Sequence, residues 1–119
     1  NFEEIRAWQQ ARILTKEIYS LSDGENFNKD FGLRDQIRRA SVSIMANIAE
    51  GFDCDSQKEF ARFLEIARRS AVEVQSLLYV ALDVGYIEQK TFNKYYENAR
   101  STKALIGGFR HSLLKKVHS

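Results

Sequence analysis

The stretch SQKEFARFLEIARRSAVEVQSLLYVALDVG, residues 56–85, decides the fold. Within it Phe60, Leu64, Ala67, Ala71, Val74, Leu78 and Ala81 alternate at spacings of four and three. That is a heptad seam: the apolar side chains share one helical face and suit bundle packing at about +20°. Phe63, Ile66, Ser70 and Leu77 form a second stripe beside it, a face wider than one neighbour would cover. Ser56 with Glu59 fits a capping box at the start, and Gly85 supplies the stop. The pattern predicts a helix over about 56–84, with Tyr86-Ile87 folding back as an apolar clasp.

Working outward, the chain offers three more helices. Ile5, Trp8, Ala11, Leu14, Ile18 and Leu21 predict one over about 3–21, with Asn1 and Glu4 as a capping box. Residues 22–30 are polar and rich in Gly, Asn and Asp, and read as a loop. Leu33, Ile37, Ala40, Ile44 and Ile48 predict a helix over about 31–51, with Asp30 as N-cap and Gly51 as its stop. Its small residues, Ala40, Ser41, Ser43, Ala46 and Ala49, allow close approach of a neighbour. Phe92, Tyr95, Ala99, Thr102, Ile106, Phe109 and Leu113 predict a helix over about 88–116. Gly107-Gly108 interrupt it at about 1 kcal/mol each relative to alanine, so either another backbone packs closely there or the last turns are loose. Lys115 to Ser119 are expected to fray. Short connections force antiparallel neighbours, and the expected fold is all-α, an up-down-up-down four-helix bundle in one domain over 1–119.

Composition excludes several classes of function. Of 119 residues, 44% are hydrophobic and 29% charged, an ordinary soluble balance. There is no apolar run long enough for a membrane span and no visible signal peptide. One cysteine, Cys54, cannot form an internal disulfide, which suits a reducing cytoplasm. Net charge is +2, but residues 88–119 hold seven bases against two acids, a basic segment on a nearly neutral body.

No catalytic or metal-binding motif is present. Di-iron bundles use Glu-x-x-His pairs, whereas His111 follows Gly108 by three and His118 follows Lys115. Cys54 stands between Asp53 and Asp55 with no second Cys or His nearby, and these acids disfavour a reactive thiolate. No phosphate-cradling glycine loop or nucleophile elbow occurs. The reading is a non-enzyme without cofactor or metal.

The most informative polar segment is Gly32 to Ile44, continuing through Asn47-Ile48-Ala49-Glu50-Gly51. Arg34, Arg38 and Ser41 share one helical face, and Asp35 with Arg39 has the spacing of an i,i+4 ion pair. Guanidinium groups grip phosphates bidentately, but they equally pair with Asp35, Glu65 or Glu73 inside a bundle. Asn47 and Glu50, close to the apolar stripe, are expected to form a structural polar network that fixes helix register.

A series of ordered matches runs along nearly the whole chain: Trp8-Gln9-x-Ala11-Arg12, Gln36-Ile37-Arg38-Arg39-Ala40, Asn47-Ile48-Ala49-Glu50-Gly51, Ser56-x-x-Glu59-Phe60, Phe63-Leu64-x-Ile66-Ala67, Ser70, and Leu82-x-x-Gly85-Tyr86-Ile87. In these the chain resembles the four-helix-bundle family of proteins encoded in bacterial 23S rRNA intervening sequences. Members of that family are similar to the accessory variability determinant of diversity-generating retroelements, a basic pentameric bundle that engages reverse transcriptase and RNA. The resemblance implies a homopentamer and a role in nucleic-acid binding. Arg34, Arg38, Arg39, Arg68, Arg69, Arg100, Lys103 and Arg110 are the candidate contacts, acting by phosphate neutralisation. The expected partner is RNA or a nucleoprotein. The alternative is a protein-interaction scaffold, motivated by the second stripe of the third helix and the acidic turn at Asp53–Asp55.

Overall fold

The computed structural model describes residues 1–118. It contains four α-helices, α1 (Arg6–Leu21), α2 (Phe31–Phe52), α3 (Gln57–Asp83) and α4 (Gln89–His118), with single 3-10 turns at Phe2–Glu4 and Phe27–Lys29. No strand occurs among the described residues. The helices run up and down as a four-helix bundle of 50 × 20 × 20 Å: α1 packs on α2 and α4, and α3 packs on the same two. Leu14, Ile18, Ile37, Ile44, Ile48, Leu64, Leu78 and Ile106 are sealed at the centre, the residues that the apolar spacing assigns to one face of each helix.

The boundaries carry physical information. Ile5 is extended (φ −75°, ψ 121°) and separates the first 3-10 turn from α1, so α1 starts at Arg6 and not near residue 3. Part of the second stripe of α3 is explained inside the bundle, because α3 is covered on two sides. Leu77 and Ser70 are buried, and Ser70 Oγ meets Ser43 Oγ of α2 at 2.9 Å. Phe63 and Ile66 remain only half-buried, so the bundle accounts for the Ser70–Leu77 half of the stripe and not for the other half.

Gly51 does not stop α2, which continues through Phe52. A Cβ at Gly51 would stand 2.7 Å from Phe60 Cδ1 and 2.8 Å from Phe63 Cβ, so glycine is there to let α3 approach. Gly85 does act as a stop. It holds the left-handed conformation (φ +82°), Gly85 N–H donates to Leu82 O (3.1 Å), and Tyr86 N–H donates to Ala81 O (2.9 Å). This is a Schellman cap. Of the two expectations for Gly107-Gly108, close packing is excluded, since a Cβ at either would meet nothing within 4 Å. The helix continues through Lys115 to His118, and Ser119 lies outside the described residues.

The loop over 22–30 is less polar in function than in composition. Phe27 is 1% exposed and lies against the Tyr86 ring, 5.5 Å between centroids. Asp30 fastens the same end of the bundle with both oxygens. Oδ1 accepts from Leu33 N–H (3.1 Å) as the N-cap of α2, and Oδ2 accepts from Tyr86 O–H (2.9 Å). Asp30→Ala is therefore expected to lower stability by about 1 kcal/mol for the cap alone, and further for the lost tie to the α3–α4 turn. Tyr86→Phe, which spares the cap, should cost less; urea melts of both variants check this.

Candidate nucleic-acid interface

Two of the eight candidate cations are committed to holding the fold. Arg38 Nε donates to Ser22 Oγ (2.8 Å), its Nη2 donates to Tyr19 O (3.3 Å), and its guanidinium lies 4.7 Å from the Tyr19 ring centroid. It thus closes the C-terminal end of α1, where unpaired carbonyls favour a cation. Arg34 binds Asn28 O and Oδ1 (3.2 and 3.1 Å) and stacks over Phe31 at 4.8 Å. Its Nε takes Asp35 Oδ1 at 2.9 Å, so Asp35 pairs with Arg34 rather than with Arg39. Arg39 is exposed, without a polar partner among the described residues, and stands alone on α2.

The other five lie along the seam between α3 and α4. Three converge on Glu65: Arg68 is bidentate to it (2.8 and 2.8 Å), Arg69 Nε reaches Oε2 at 3.3 Å, and Arg110 of α4 comes within 4.0 Å. Arg110 Nε also donates to Ala61 O at 3.1 Å, which locks α4 to α3 at this level. At the other end of the seam Tyr79 meets Phe92 (4.7 Å) and Tyr96 (5.6 Å). These two fixed points set the antiparallel register. Tyr96, Arg100, Lys103, Gly107 and Arg110 follow one another at spacings of four, three, four and three along one face of α4. From Tyr96 to Arg110 this is about 21 Å at about 1.5 Å per residue.

Arg100 is paired with Glu97, which accepts from its Nε at 2.9 Å and from its Nη2 at 2.5 Å, whereas Lys103 has no carboxylate partner among the described residues. Beyond Arg110 the seam opens into a cleft of about 560 Å³, to which Lys58 and Arg62 contribute. These two are absent from the candidate set, although Lys58, Arg62 and Arg69 fall on one outer strip of α3 by helical spacing, a signal legible beforehand. Arg62 is tied to Glu59 (Nη2–Oε1 2.7 Å), so Glu59 turns outward and only the Ser56 half of the capping box forms, Ser56 Oγ accepting from Glu59 N–H at 3.0 Å. Along the seam and its cleft the cations Lys58, Arg62, Arg68, Arg69, Arg100, Lys103 and Arg110 stand with the paired carboxylates Glu59, Glu65 and Glu97.

The Glu65 carboxyl reports this field. Hydrogen bonds from Arg68, then the charges of Arg68 and Arg110, outweigh the burial that opposes ionisation and hold it down to about 2 from an ordinary 4.5. A depressed carboxyl stabilises the fold above its unfolded value and loses that contribution as pH falls toward the folded one. Stability should therefore drop between pH 4.5 and about 2, and Glu65→Gln should flatten this interval. Urea titrations at neutral pH and inside the interval decide it.

The expected polar network takes a different membership. Asn47 Nδ2 donates to Ser43 O (2.8 Å) and Ser43 Oγ (3.0 Å), and Ser43 reaches Ser70 across the α2–α3 contact. Glu50 is exposed and its carboxylate takes no part. At Cys54 the thiol is pushed up, by desolvation first and then by Glu59 and Asp53. Among the described residues no three His, Cys, Asp or Glu side chains assemble as a metal set, and no helix is long and apolar enough to cross a membrane.

On the opposite side, between the first 3-10 turn, α1 and α2, Phe2, Trp8, Val42, Met45, Ala46 and Ala49 line a shallow apolar groove of about 280 Å³. Val42 is 40% exposed, and Ile13 on α1 is 52% exposed.

Comparison with known proteins agrees with the fold. The family model of the 23S rRNA-intervening sequence protein matches residues 3–108. A 1.70 Å crystal structure of a protein of unknown function from the S23 ribosomal protein family of Bacteroides thetaiotaomicron superposes with a TM-score of 0.79 at 23% identity. It covers 87% of this chain and 97% of its own. No curated protein matches the sequence significantly.

Proposed function

The chain belongs to the 23S rRNA-intervening sequence protein family, and on that premise we propose that it is a non-enzymatic RNA-binding bundle that works as a homo-oligomer. The observation that carries the reading is the convergence of Arg68, Arg69 and Arg110 on Glu65 between α3 and α4, with Lys103 and Arg100 continuing the Arg110 face of α4 by helical spacing. Cations at successive turns match the repeating charge of a phosphate backbone, and each phosphate neutralised releases a condensed counterion. Such contacts give affinity without much choice of sequence. Arg34 and Arg38 act in this account through the fold, by closing the α1–α2 connection.

The test is fluorescence anisotropy with a labelled RNA over a salt series. Three to five neutralised phosphates give a slope of log K against log salt of roughly −2 to −4. Binding that ignores salt, or no binding, contradicts the proposal.

The assembly we propose is the homopentamer implied by the family resemblance. A ring needs two different surfaces of each copy to meet, and the apolar α1–α2 groove, on the side away from the cations, supplies one of them. Light scattering should give about five times the 13.8 kDa chain mass, and Val42→Glu should lower it. A monomeric parent chain contradicts this assembly. The same groove favours a second reading, a scaffold that docks a different protein. A partner retained after nuclease treatment, with no RNA bound, would select it.

A further inference from the structure

We infer that the α3–α4 seam takes single-stranded rather than duplex RNA, with unpaired bases laid on the Tyr79–Tyr96 end while the phosphates run past Arg100, Lys103 and Arg110. The inference rests on the RNA-binding reading and adds to it the class of RNA. Three observations carry it. Tyr79 is 49% exposed although it belongs to an aromatic group, with Phe92 and Tyr96 themselves stacked at 5.2 Å, so an aromatic surface faces solvent. That surface is continuous with the cationic face, Arg100 standing one turn from Tyr96. Gln75, one turn from Tyr79 on the same face of α3, is only 6% exposed, yet its amide makes no hydrogen bond among the described residues. No buried side-chain oxygen or nitrogen lacks a partner there, so the amide groups keep access to solvent and are free for a ligand.

A duplex cannot use these features. Its bases are stacked on each other, and side chains cannot read the deep, narrow major groove of A-form RNA. An unpaired base offers its π-face to tyrosine and its edge to an amide, and cations beside aromatic rings are the usual makeup of single-strand tracks. Gly107, between Lys103 and Arg110, has nothing within 4 Å of the place a Cβ would occupy, which leaves room for the strand near the α4 backbone.

The experiment compares a short oligouridine with an RNA duplex of equal length, by anisotropy on the full chain at one salt concentration. The single strand should bind at least about tenfold tighter. Tyr79→Ala should weaken single-strand binding about tenfold, the size of one lost base stack, while Tyr79→Phe retains it. Tyr79→Leu, which keeps apolar packing but has no π-face, should behave as Tyr79→Ala with unchanged circular dichroism and assembly mass. Equal affinity for the duplex, or indifference to both Tyr79→Ala and Tyr79→Leu, overturns the single-strand inference and leaves the RNA-binding reading standing. Binding of neither RNA overturns both.

Discussion

Gly51→Val should cost on the order of 3 kcal/mol, the upper end of ordinary overpacking, and lower the melting temperature by on the order of 10 °C in a domain of this size. The argument is steric. A Cβ at this position already falls 2.7 Å from the Phe60 ring and 2.8 Å from Phe63 Cβ. The Phe60 ring cannot swing clear, because it is 8% exposed and wedged edge-on between Phe52 (6.1 Å) and Phe109 (5.3 Å). Phe63 Cβ is fixed by its own backbone. Valine adds two methyl groups to that conflict and must push α2 and α3 apart where they turn into each other. Gly107→Ala is the control: nothing lies within 4 Å of its Cβ, so the higher helix propensity of alanine should raise stability by about 1 kcal/mol. Thermal melts of the two variants should move in opposite directions. A neutral Gly51→Val would mean that the α2–α3 corner is looser than described.

The second large effect concerns RNA. Replacing Arg100, Lys103 and Arg110 together by Gln removes three positive charges from one face of α4. If each neutralises one phosphate, the salt slope falls by about 2 and affinity at physiological salt drops by on the order of a hundredfold. Stability should fall only through Arg110, which loses its bond to Ala61 O across the seam, and the Arg100/Lys103 double variant, which loses no hydrogen bond or ion pair to another helix, should keep full stability. Arg38→Gln should do the reverse. It removes the donor to Ser22 Oγ and Tyr19 O at the end of α1, so it should lower stability while leaving the salt slope intact. Paired anisotropy and urea measurements separate the two kinds of arginine. A triple variant with undiminished affinity would move the RNA elsewhere on the molecule.

Much of the fold was legible in residues 56–85, because a heptad seam with one capping serine and one terminal glycine admits few arrangements. What the pattern did not reveal depends on neighbours. Gly51 reads as a stop by its position, but its role follows from two phenylalanines of α3 that come close only after folding. Phe27 stands among polar residues and is buried because Tyr86, distant in sequence, covers it. Ser56 and Glu59 have capping-box spacing, yet Arg62 one turn later captures the carboxylate. The candidate interface was legible only as a set of cations. Helical spacing cannot say that Arg38 will be drawn to an α1 carbonyl while Arg110 is drawn across to Ala61 and Glu65. Nor does it join Tyr79 to Tyr96, which belong to different helices.

The most direct measurement is photo-cross-linking of a 4-thiouridine oligonucleotide to the intact protein, followed by tryptic digestion and mass spectrometry. Placement of RNA on the α3–α4 seam predicts adducts on the peptides 70–90 and 95–100, which carry Tyr79 and Tyr96. Adducts concentrated in peptides 7–12 or 17–29, from α1 and the loop that follows it, would contradict it.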